Sequence, residues 1–215
     1  MKTIYQAQKE YPQKLNKIYA PPSKLYVFGD EAILNKPSIA IIGCRQASEY
    51  GKRIAFKFAY ELAQKGIIII SGLAKGIDTY AHLGAVKAQG KTVAVLGSGF
   101  AHIYPEENKN LCKEIIKTGG AIITEYEKEM KPLKMNFPIR NRIISGLSNG
   151  VLVVEAKQRS GTLITVDYAL EQGKDVFVIP GNITNQNSFG TNELIKQGAI
   201  PVTNVEDILH AFSYS

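Results

Sequence analysis

The chain has 215 residues, 45% hydrophobic and 21% charged, with 26 Lys and Arg against 19 Asp and Glu for a formal charge of +7. These proportions provide material for a packed core and exclude disordered and collagen-like chains, while the positive balance favours an anionic partner and fits a basic surface equally well. The longest purely apolar run, Gly66 to Ile70, is far short of the roughly 20 residues a membrane-crossing helix needs, and Met1 to Gln6 has no signal-peptide apolar region, so a soluble cytoplasmic protein is expected.

Residues 1–23 read as an N-terminal extension, polar and rich in Tyr and Lys, closed by the Ala20-Pro21-Pro22 break. From residue 24 to 215 strand-like apolar runs alternate with helix-like stretches, which predicts one α/β domain with a doubly wound, mostly parallel sheet, an extended Rossmann-like fold. The expected strands are 25–28, 38–42, 67–71, 92–96, 121–124, 151–154, 176–179 and a weak 200–202, most of them apolar throughout as strands covered on both faces must be. Helices are expected at 50–65, where Ile54, Phe58 and Leu62 share a face, at 77–89, at 106–117 and, shorter, around 140–147. The one long connection, 126–138, is expected to be functional or mobile. Cys44 and Cys112 lie far apart with no CxxC or His-rich neighbourhood, so no metal site and no disulfide framework is predicted.

Ligands in such a sheet bind outside the carboxyl ends of the strands, which here read Gly43-Cys44-Arg45, Ser71-Gly72-Leu73-Ala74-Lys75-Gly76, Gly97-Ser98-Gly99, Glu155-Ala156 and Pro180-Gly181-Asn182. Glycines let backbone N–H groups approach an anion and a following helix N-terminus adds its positive end, so these turns are candidate phosphate nests; small residues that merely permit a tight turn are the other reading. Neither nucleotide motif is complete: His102 stands where Gly97-Ser98-Gly99 would need its third glycine, and there is no GxxxxGK[ST], so no tightly held cofactor is expected. Lys131 to Arg142 interleaves cations with Phe137. Cations track phosphates and a flat ring stacks a base at about 1–3 kcal/mol, the needs of single-stranded nucleic acid; a solvated helix start for Arg140 and Arg142 and a core role for Phe137 remain open on these residues alone. His82, one turn after Asp78, reads as a structural hydrogen-bonding group rather than half of an acid/base pair, and Ser71, Ser98 and Ser160 lack a GxSxG context.

Taken together these motifs resemble the DprA/Smf family of DNA-processing proteins of bacterial natural transformation, over nearly the whole chain. The resemblance rests on Ile42-Gly43-Cys44-Arg45 with Ser48-Glu49-Tyr50-Gly51, on Ser71 to Asp78 with Ala81-His82, on Val95 to Gly99 with Tyr104-Pro105, on Phe137 to Ser148, on Ser160 to Thr165, and on Gly190 to Ala199. It implies a single-stranded DNA-binding protein that protects incoming DNA, helps load the RecA recombinase, acts as a homodimer and is not an enzyme. The DNA site it implies comprises Arg45, Gly72, Lys75, Gly76, Lys134, Phe137, Arg140, Asn141, Arg142, Ser160 and Gly161. The apolar C-terminal residues Leu194, Ile195 and Ile200, with Ile208, Leu209 and Phe212, are the candidate dimer surface, the alternative being that they cover the sheet edge. The helical and winged-helix-like domains that members often add are expected to be absent, and Cys44 stands where small hydroxyl residues are common. The alternative function is a Rossmann-like nucleotide-binding protein or a phosphoribohydrolase-type enzyme of the lysine decarboxylase-like group. Its PGGxGTxxE pattern corresponds to Gln158 to Thr165, which lacks the PGG and carries Thr165 in place of the catalytic Glu.

Overall fold

The structure, a computed structural model, describes residues 1–213; positions 214 and 215, the end of the expected domain, lie outside the described residues. The chain forms β1 (Lys2–Tyr5), α1 (Gln13–Asn16), β2 (Lys24–Gly29), β3 (Ser38–Gly43), α2 (Glu49–Gln64), β4 (Ile68–Ser71), α3 (Ile77–Lys87), β5 (Thr92–Val95), α4 (Lys109–Lys117) and β6 (Ala121–Thr124). It continues through α5 (Asn136–Leu147), β7 (Gly150–Glu155), α6 (Gly161–Glu171), β8 (Asp175–Val178), α7 (Phe189–Lys196), β9 (Ile200–Pro201) and α8 (Val205–Ser213). The strands make one sheet in the order β1-β2-β6-β5-β4-β3-β7-β8-β9, parallel from β6 to β9. The fold is α/β, doubly wound and Rossmann-like, as the apolar strand pattern predicts.

Two apolar layers cover the sheet. Leu15, Ile143, Leu147, Val166 and Leu194, from α1, α5, α6 and α7, pack on one face. Phe58, Leu62, Ala81 and Ile208, from α2, α3 and α8, pack on the other, where Leu111 and Ile115 of α4 extend the cover over β5 and β6. In α2 the buried positions Gly51, Ala55, Phe58, Ala59, Leu62 and Ala63 recur at helical spacing, and Ser48 caps the helix by accepting from the Gly51 N–H at 3.0 Å. Gly84 lets α3 approach α2 closely, because a Cβ there would collide with the Phe56 carbonyl.

The structure departs from the sequence reading in three places. Residues 1–23 are not an appendage to the sheet: β1 pairs antiparallel with β2, which runs antiparallel to β6, and Ile4, Leu15 and Ile18 are core residues. Lys14 fastens this segment, donating to the Lys36 carbonyl at 2.9 Å, Ser38 Oγ at 2.8 Å and Asn149 Oδ1 at 2.9 Å, and burial pushes its pKa down to about 8. Helix α5 begins at Asn136, so Phe137 and Pro138 belong to its first turn, where proline's missing N–H would be unpaired in any case. The connection 126–135 is tethered, with Gly99 N–H donating to Met130 O at 2.8 Å and Ala101 N–H to Lys128 O at 3.0 Å.

Crossovers carry β3, β4, β5 and β6 outward in one direction, and the chain then returns to lay β7 on the other side of β3. The order reverses between β3 and β7, the place where open α/β sheets form a ligand crevice.

Candidate nucleic-acid interface

A cleft of about 520 Å³ opens at that reversal. Gly43, Cys44, Arg45 and Gln46 after β3 form one wall, Lys157 and the start of α6 (Ser160, Gly161, Thr162, Thr165) the other, and Phe137, Pro138, Arg140 and Asn141 of α5 the third. Of the sequence candidates, Arg45, Phe137, Arg140, Asn141, Ser160 and Gly161 meet here.

Phe137 is placed by three neighbours, Gly97, Tyr104 and Arg45. Asn136 Nδ2 donates to Gly97 O at 3.0 Å and fixes the helix start, and the Phe137 ring lies on the bare backbone of Gly97, where a Cβ would come within 2.9 Å of it. The Tyr104 ring packs against it with centroids 5.7 Å apart, and the exposed Arg45 guanidinium lies over it at 5.4 Å. An aromatic ring with an exposed cation over it lines the cleft.

The two arginines of α5 are structural. Arg140 is 4% exposed and donates through Nη1 to Gly72 O at 2.8 Å and to Val95 O; burial lowers its pKa to about 10. It forms the floor of the cleft rather than a free phosphate contact. Arg142 is outside the lining altogether: its guanidinium makes a two-pronged pair with Glu125 at 2.6 and 2.7 Å and donates to Ala20 O at 3.0 Å. The family resemblance implies a DNA contact for both; their acceptors, distant in the chain, are invisible in the sequence.

The Gly72–Gly76 turn is filled from within. The Asp78 carboxylate accepts from the N–H groups of Gly72 at 3.1 Å and Ala74 at 3.3 Å, so the nest that was expected to cradle a phosphate holds the chain's own anion. Burial pushes the Asp78 carboxyl up, and the Arg140 guanidinium opposes that shift. Gly76 has φ +77°, and a Cβ there would strike the Cys44 carbonyl, which explains the glycine without a ligand. Lys75 points elsewhere, paired with Glu107 on the surface.

His82 is fully buried, its Nδ1 2.7 Å from Thr92 Oγ1. The Thr92 hydroxyl already donates to Ile69 O at 2.6 Å, so Nδ1 carries the proton; the partner is Thr92, not Asp78. Burial lowers its pKa to about 3. Ser71 and Ser98 spend their hydroxyls on Ile41 O and His102 O, whereas Ser160 Oγ, at the start of α6, is buried without a partner. Gly161 beside it faces open space. Cys44 is buried, which raises its thiol pKa, and Cys112 is likewise free and buried. Among the described residues no cluster of His, Cys, Asp and Glu could hold a metal.

Lys134 is exposed on the tethered connection, outside the lining, and makes no ion pair among the described residues. The sequence reading missed Lys157, which donates to Gln46 Oε1 at 3.2 Å across the cleft; it follows the carboxyl end of β7 as Arg45 follows β3. Of the C-terminal apolar set, Leu194 and Ile208 are buried in the two core layers, Ile195, Leu209 and Phe212 pack against them, and Ile200 is exposed.

A family model described as DNA recombination-mediator protein A matches residues 2–213. The chain belongs to this family, the DprA/Smf proteins. Among its curated relatives, DNA processing protein DprA of Bacillus subtilis is 45% identical over 207 residues, covering 96% of this chain and 69% of the relative. Protein Smf of Escherichia coli is 46% identical over 204 residues, 95% of this chain and 54% of its own. This DprA/Smf chain therefore spans from about half to about seven-tenths of these relatives. Among solved structures, Streptococcus pneumoniae DprA superposes with a TM-score of 0.91 at 42% identity, covering 97% of this chain and 73% of the other. DNA processing protein A of Helicobacter pylori, whose structure concerns its single-stranded DNA binding mode, gives 0.87 at 32%, covering 98% and 99%. A molybdenum cofactor binding protein from Rippkaea orientalis, at 0.57 and 22% over 83% of this chain and 96% of the other, shares the fold alone.

Proposed function

We propose that this DprA/Smf chain binds single-stranded DNA in the β3/β7 cleft, shields it, and passes it to the RecA recombinase as a binding protein rather than an enzyme. The observation that carries this reading is the Phe137 ring, seated on Gly97 with the exposed Arg45 guanidinium 5.4 Å from its face. A base takes the ring, Arg45 swings to the adjoining phosphate, and Lys157 and Lys134 continue the cationic track; none of these contacts depends on base identity. Where a hydrolase of the rival family has its glutamate, Thr165 is buried on α6, and a hydroxyl there is no general acid.

Titration of oligo-dT against the chain at increasing salt tests the proposal. Affinity is expected to fall with salt, Phe137→Ala to weaken binding by about 1–3 kcal/mol and Lys134→Ala to flatten the log-log salt slope by about 0.7. An affinity independent of salt, or a Phe137→Ala loss in folding that equals the loss in binding, overturns it. The second reading, a free mononucleotide in the same cleft, is favoured by the orphaned Ser160 hydroxyl and has a distinct signature: dTMP then binds as tightly as oligo-dT.

The assembly we propose is a homodimer through the edge where Leu170 and Ile200, 60% and 39% exposed, share a shallow groove. Light scattering at micromolar concentration reads twice the chain mass if this is right and a single mass if it is not.

A further inference from the structure

A second cleft of about 340 Å³ adjoins the first and shares Arg45 and Gln46 with it. It is lined by Lys52 of α2, by Lys75 in the turn before α3, by Thr79 and Tyr80 in the first turn of α3, and by Glu107 in the short 3₁₀ turn Glu106–Asn108. Its chemistry repeats that of the first cleft, with cations around an aromatic: the Lys52 ammonium lies 5.7 Å from the centre of the Tyr80 ring. The difference is that both lysines are occupied. Lys52 pairs with Glu49 at 2.6 Å, and Lys75 pairs with Glu107.

We propose that this second cleft is a further single-stranded DNA subsite, and that the Glu107 carboxylate occupies the seat of a backbone phosphate until DNA displaces it. The inference rests on the DNA reading of the first cleft. Lys75 and Glu107 are 59% and 65% exposed, and exposed pairs of this kind are weak, screened and quick to exchange partners. The backbone beneath Glu107 does not need to move. Asn108, 7% exposed, donates to Leu73 O at 2.8 Å and to Thr79 Oγ1 at 2.9 Å, fixing the turn to α3. Only the Glu107 side chain has to swing into water for Lys75 to meet a phosphate, and its negative charge, left beside that phosphate, limits what a longer strand gains.

Fluorescence anisotropy with a dT dinucleotide and a much longer oligo-dT tests this on the whole chain. Glu107→Gln is expected to raise the ratio of long-strand to dinucleotide affinity several-fold at low salt and to steepen the long-strand salt slope by about 0.7, the release of about one more counterion, because no freed carboxylate is left to take one up. Lys52→Gln is expected to lower the same ratio. Glu114→Gln, which removes an exposed acid on α4 away from the cleft, controls for net charge. A ratio unchanged by Glu107→Gln, or raised equally by Glu114→Gln, overturns the subsite. Failure of the parent reading looks different: the wild-type chain then binds neither length.

Discussion

The turn after β4 and the turn that opens α6 stand at the same edge of the sheet, each with glycine beside a hydroxyl residue and a following helix, yet they end in opposite states. In the first, Asp78 takes the Gly72 and Ala74 amides and Arg140 closes the space against Gly72 O. In the second, Gly161 faces open space and Ser160 Oγ has no partner. The lesson is that a glycine-bearing turn is open to a ligand only where the chain leaves its donors unspent, and one carboxylate in the first turn of the helix, Asp78 of α3, spends them.

The comparison breaks most visibly at Asp78. Asp78→Ala leaves Arg140 buried without its compensating charge and is expected to cost about 3–5 kcal/mol in urea unfolding; a loss below about 1 kcal/mol means the β4 turn is no more committed than the α6 start. The second effect comes from His82, whose native pKa of about 3 lies below its ordinary 6.5. Between these values the unfolded chain binds the proton that the folded chain refuses, so stability rises with pH and is lost as the pH falls through the window. Wild-type stability is expected to drop by about 3 kcal/mol more than that of His82→Gln between pH 6.5 and about 4, and parallel profiles refute the assignment. The smallest change sharpens the contrast: Gly161→Ala meets no atom within 4 Å and is expected to shift stability by less than about 0.5 kcal/mol while weakening oligo-dT binding. A stability loss as large as that of Asp78→Ala would show that the α6 start is built as tightly as the β4 turn.

What the sequence disclosed follows the range of the forces involved. Strands such as Ala121–Thr124 were readable because burial on both faces demands an unbroken apolar run. β1 was not, since of Lys2 to Tyr5 only Ile4 is buried and a single apolar residue has no period. Phe137 and Arg45 were legible as a ring and a cation near strand ends, though not their stacking, which depends on Gly97 of another crossover. The ion pair of Arg142 was not legible because its partner, Glu125, belongs to the preceding connection, nor were the hydrogen bonds of Arg140, because its acceptors are backbone carbonyls, which every residue has. Lys75 looked like a free cation for want of any signal that Glu107 folds beside it.

The return of the chain to place β7 beside β3 sets a timetable as well as a crevice. Synthesis delivers β3 to β6 first, and the edge of β3 that faces the cleft waits, unpaired, for β7 and the start of α6. The walls of the cleft belong to segments far apart in the chain, and contacts that span much of the sequence are the slowest kind to form. The cleft at the β3/β7 reversal is therefore assembled only after α6 (Gly161–Glu171) has been made, while β8, β9 and the last two helices are still to be added to the same sheet.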